Sequence, residues 1–165
     1  MNGFFVTALR AGIVAAILVG LFGQIVVIPT AAAEEVEYFP PYAPFEAPYV
    51  AVAILGVACV QVALVAVWML LAMAGRDAVF TPRAFRWVDT VIGATVAATL
   101  LALGVTVHLA VAEIPSPYDG MEVIAALGAA AACTGTGAAF AMLVAVLRSL
   151  LRKATDLQTE MAEVV

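Results

Sequence analysis

Residues able to do chemistry are few in this 165-residue chain, and they are widely spaced. The single histidine is His108, and the two cysteines are Cys59 and Cys133. Two cysteines without a CxxC spacing make no metal motif. They read as small packing residues at matched depth in two helices, with a disulfide or shared ligand role as the alternative. His108 reads as a hydrogen-bonded interfacial histidine, with a proton- or metal-handling role as its alternative. Gln61, deep in an apolar run, is suited to hydrogen-bonding across helices. No P-loop, GxSxG elbow or HExxH pair is present, and the only serines are Ser116 and Ser149. The expectation is a protein with no catalytic residue, no metal site and no cofactor, and not an enzyme. Basic residues form no patch of the kind that grips nucleic acid, so direct nucleic-acid binding is not expected.

The elements that would hold these residues are apolar to an unusual degree. The chain is 65% hydrophobic and 12% charged, against about 45–50% and 25% for soluble domains. Its mean hydropathy is +1.12. Four apolar runs, at about 4–28, 49–74, 87–112 and 123–147, each supply the roughly 20 residues a helix needs to cross a bilayer. None shows the short alternating segments of a membrane β-barrel. The expected fold is all-α, an antiparallel bundle of four transmembrane helices in one membrane domain. All eight prolines fall at run ends or between runs, where a missing N–H costs little, so the spans should be unbroken.

Charge orients these helices. The segments 31–48 and 113–122 hold seven acids and no Lys or Arg, whereas all seven basic residues lie on the other side. Basic residues stay cytoplasmic, so both termini are expected inside, with outer loops at 31–48 and 113–122 and an inner loop at 75–86. The formal net charge of −5 thus divides into −7 outside and +2 inside. Anionic lipid headgroups are natural partners for the basic rim. Ala31, Ala32 and Ala33 after an apolar run also resemble a signal cleavage site. The run is longer than the usual signal core and only Arg10 precedes it, so retention as a true first helix is expected.

The faces carry what local detail there is. Gly75 suits a helix C-cap, and Thr81 with Pro82 suits the next helix start. Phe80 and Phe85 occupy the staple positions, and Arg86 and Asp89 are spaced to pair. This hairpin reads as a topology-fixing turn, or as a docking surface. Leu147, Leu150, Ala154, Leu157, Met161 and Val164 recur at heptad spacing in a C-terminal helix over 148–165. That seam either packs on the hairpin or headgroups, or binds a partner helix or a second copy of the chain. Candidate docking residues are Arg76, Phe80, Arg83, Arg86, Leu150, Leu157 and Met161; Gln61 and His108 are weaker intramembrane candidates. In the outer loop, acids alternate with prolines and aromatics. An interfacial belt is the plainer reading, and cation or ligand capture by Glu34, Glu35 and Glu37 is the alternative. Gly93/Ala97, Gly128/Ala132 and Gly135/Ala139, with Thr95, Thr99, Thr134 and Thr136, should bring the third and fourth helices close together.

The run Val79-Phe80-Thr81-Pro82-Arg83-Ala84-Phe85-Arg86-Trp87-Val88-Asp89, followed by Ile92-Gly93, resembles the bacterial integral-membrane family known as domain of unknown function 2975. So do Ala58-Cys59-Val60-Gln61-Val62-Ala63-Leu64 and Leu147-Arg148-Ser149-Leu150-Leu151-Arg152-Lys153-Ala154. The resemblance runs over nearly the whole chain in the same order. It implies a four-helix protein of the bacterial inner membrane, without catalytic residues, and a possible helix-turn-helix regulator as partner. The leading expectation is an interaction protein with a cytoplasmic docking face. A transporter or channel protomer that needs homo-oligomerisation, and a lipid- or cofactor-binding bundle, stand as alternatives.

Overall fold

The computed structural model describes residues 3–74 and 82–163, with side chains over 4–74 and 83–155. Gly3–Phe22 form α1, Ile28–Tyr38 α2, Ala43–Ala74 α3, Pro82–Val111 α4 and Met121–Glu163 α5. A π-helical turn, Gly23–Val27, fuses α1 to α2, and a 3₁₀ turn, Pro40–Tyr42, leads into α3. No strand occurs among the described residues. Four helical stretches are long and apolar enough to cross a membrane: Phe4–Tyr38, Pro40–Ala74, Arg83–Val111 and Met121–Thr155. Helices satisfy their own backbone groups, which is why they suit a solvent that offers no hydrogen bonds.

Neighbours in sequence are neighbours in space. The first span packs on α3, α3 on α4, and α4 on α5, the last two contacts being the broadest. Among the described residues the first and fourth spans share no contact. The row is therefore open on one side. Only Ile13, Ala66, Ala84 and Val91 are buried, while Leu18, Val19, Leu100, Phe140 and Met142 lie exposed. So much apolar surface would aggregate in water; acyl chains cover it in a bilayer. Little packing is then required to hold the helices, because lipid is as apolar as leucine.

Several local expectations are revised. The segment 31–48 is helical on both sides of a break at Phe39 (φ −135°, ψ 89°) rather than a loop. Hydropathy marks where the membrane ends; Ala31–Glu37 remains good helix-forming sequence. Pro48 consequently lies inside α3, and Pro29 follows the π turn, whose Ile28 N–H reaches back to Gly23 O. The first span is thus irregular. The small-residue pairs are also out of phase with the helix contacts. Added Cβ atoms at Gly93, Gly128 and Gly135 would meet nothing, whereas one at Gly137 would overlap Thr99. α4 and α5 do meet closely, and Thr106 Oγ1 lies 3.3 Å from Thr134 Oγ1. α4 starts at Pro82 as expected; Gly75, Phe80 and Thr81 lie outside the described residues.

Candidate functional site

The polar groups inside the spans form a ladder between the first span and α3. Arg10 Cζ stands 5.6 Å from the centre of the Trp68 ring. Gln61 Nε2 donates to Ile17 O at 3.4 Å, and Gln24 Nε2 donates to Ile54 O at 3.0 Å. The positions advance by seven on each helix, 10, 17 and 24 against 68, 61 and 54. A seven-residue repeat keeps one face of a helix against its antiparallel neighbour. Gly20 lies against Gln61, where a Cβ would come within 2.9 Å of Nε2. Gln61 thus bonds across helices as its type suggested. Arg10 and Gln24 escaped sequence reasoning, although their shared spacing with Gln61 and Trp68 was a usable signal.

His108 is satisfied by aromatic neighbours. Its Nδ1 is 2.8 Å from the Tyr49 hydroxyl, and Phe45 and Tyr49 meet its ring edge-on. Cys59 and Cys133 are free thiols. Cys133 is exposed, which departs from the expected buried packing role. Among the described residues no group of three or more His, Cys, Asp or Glu side chains could hold a metal ion.

At the basic end, Asp89 is claimed across helices. Arg148 Nη2 donates to Asp89 Oδ2 at 2.9 Å, and Nε lies 2.5 Å from Oδ1. This replaces the expected Arg86–Asp89 pair: α5 brings a guanidinium to the carboxylate, and Arg86 stays exposed. Arg83 is exposed too. Leu147, Leu150 and Ala154, the described members of the heptad seam, face away from the other helices and are exposed. Leu151, one residue off the seam, lines a cleft of about 320 Å³ with Leu70, Met73 and Phe85. Arg76 and Phe80, and the side chains of Leu157 and Met161, lie outside the described residues.

At the acidic end the extended helices enclose a cavity of about 880 Å³. Its walls come from α2, α3, the end of α4 and the start of α5, and include Ala31, Ala32, Val50, Ala53, Val123 and Ala126. Short side chains on facing helices leave the space. Glu35, Glu46 and Glu122 line it together with Tyr38, Tyr42, Phe45, Tyr49 and Tyr118. The hydroxyls of Tyr38 and Tyr118 are hydrogen-bonded, tying α2 to the loop before α5. That loop is itself braced: Ser116 Oγ donates to Glu122 Oε2 at 2.9 Å, and the Met121 N–H donates to Asp119 Oδ1 at 3.2 Å. Gly120 takes φ 83°, a left-handed turn that glycine accepts without a Cβ penalty. Outside the hydrocarbon-spanning stretches, the bond with Tyr118 chiefly holds the Tyr38 phenol above its ordinary pKa. Burial does the same for Tyr42, helped by Glu122 and Glu35. Both phenols therefore remain neutral donors at physiological pH.

A family model described as "Protein of unknown function (DUF2975)" matches residues 29–165. The irregular first span up to Ile28 precedes the matched stretch. No curated protein and no solved structure gives a significant match.

Proposed function

The chain belongs to the DUF2975 family, and from that premise we propose that it is a membrane-anchored interaction protein with its docking face at the basic end. The observation that carries this reading is the form of α5. It runs unbroken for 43 residues from Met121 to Glu163, roughly 65 Å at 1.5 Å per residue, about twice the hydrocarbon thickness. Where it leaves the apolar stretch, Leu147, Leu150 and Ala154 are exposed beside Arg152 and Lys153. An amphipathic seam continuous with a span suits a helix-in-groove partner. Because the helix has no break, a partner on the seam would bear directly on the span.

The basic rim supports a bacterial inner-membrane location with this end cytoplasmic. A helix-turn-helix regulator is the partner class of first choice. The protein would then hold or sense such a regulator at the membrane rather than touch DNA itself. Stopping the chain after Thr155 leaves all four spans intact. Crosslinking in native membranes should then lose the partner captured by the full chain, while membrane insertion is unchanged. Equal partner recovery from both forms would sink this reading.

A further inference from the structure

We propose that the cavity at the acidic end binds a diffusible organic cation with substantial apolar surface. Its volume of about 880 Å³ lies within the range of roughly 300–1,000 Å³ usual for small-molecule sites. The walls are aliphatic and the polar groups are confined to a few positions, which is the common make-up of a ligand pocket. The charge is of one sign. Glu35, Glu46 and Glu122 contribute carboxylates, and none of the described lining residues is basic. Opposite charge beside an apolar wall is attracted more strongly than in open water, and an anion is repelled.

The aromatic lining narrows the class. Tyr42, Phe45 and Tyr49 present rings to the same space, and ring faces attract weakly hydrated cations such as quaternary ammonium groups. A bare metal ion would need a shell of several oxygens, and no such cluster exists among the described residues. A bulky onium centre needs none. The open side between the first and fourth spans gives a route from the lipid leaflet. The Tyr38–Tyr118 bond crosses from one flank to the other and ties them together. Charge, rings and apolar walls thus select one chemistry, independently of the docking face at the opposite end.

Tetraphenylphosphonium and tetraphenylborate have the same shape and opposite charge, so together they separate charge recognition from mere greasiness. Equilibrium dialysis of the full chain in maltoside micelles, corrected with empty micelles, should show saturable binding of the cation and none of the anion. The triple variant E35Q/E46Q/E122Q should weaken cation binding by about tenfold or more, given the loss of three nearby charges. Should that variant misfold, E35Q alone, whose side chain has no hydrogen bond to break in the braced loop, should weaken it by a smaller but measurable factor. Equal binding of both ions, or cation binding indifferent to Glu35→Gln, would overturn the proposal. So would displacement of the bound cation by phosphatidylethanolamine, which would make the occupant a lipid headgroup.

Discussion

Gly137 is the point of closest approach between α4 and α5, and the Thr99 side chain fills the space a Cβ would need. Thr99 cannot easily yield, since its hydroxyl donates to Thr95 O at 2.8 Å. Gly137→Ala should therefore destabilise the protein by about 1–3 kcal/mol, as overpacking does. Gly135→Ala, facing open space, should be close to neutral. Equilibrium unfolding in mixed micelles distinguishes the two, and Thr99→Ala should restore much of what Gly137→Ala loses. Composition announces that small residues matter here, but several glycines in one helix satisfy the same spacing rule. Which of them faces a neighbour depends on helix rotation, and that is set by the partner helix. Asp89 teaches the same lesson. Its three-residue spacing from Arg86 is legible, whereas Arg148, 59 positions away, is brought to it only by the hairpin geometry of α4 and α5.

At the scale of elements, the first span and α3 are held by polar rungs at seven-residue intervals rather than by a dry core. Intramembrane hydrogen bonds of this kind contribute on average about 0.6 kcal/mol each. Gln61→Leu and Gln24→Leu should each lower stability by about that amount. Their donors are two helical turns apart, roughly 10 Å, so the double variant should show additive loss. Strong coupling between them in the same unfolding measurement would mean the interface moves as a unit. The existence and type of the four helices were legible because long apolar runs admit little else. Their ends were not. Ala31–Glu37 and the stretch around Pro48 are too polar or too proline-rich to read as span, yet the backbone stays helical there.

For the molecule as a whole, the acidic and basic ends are the dominant asymmetry, and the two serines happen to mark them. Ser116 sits in the acidic loop and Ser149 beside the basic rim. With Cys59 and Cys133 replaced by alanine, Ser116→Cys should react with an impermeant maleimide on intact cells and Ser149→Cys only after lysis. The reverse pattern would invert the topology inferred from charge. The cavity was beyond sequence reasoning for a plain reason. Its walls are drawn from four segments between Ile28 and Ala126, and no local pattern announces that their short residues face one another. The acids and rings of 34–49 were visible, but only as a belt.

The π turn at Gly23–Val27 bears on that cavity in another way. Such a turn accommodates one surplus residue without disturbing the helix on either side. It therefore works as a phase adjuster: the ladder below it and the cavity wall above it can both face α3 although one residue too many separates them. If the turn tightened to ordinary α-geometry, everything beyond it would rotate by about 100° about the helix axis. Glu35 would swing off the cavity and Tyr38 would part from Tyr118, while Arg10 and Ile17 kept their places. The opening of one end of the protein is thus tied to the winding of a single turn in its first helix.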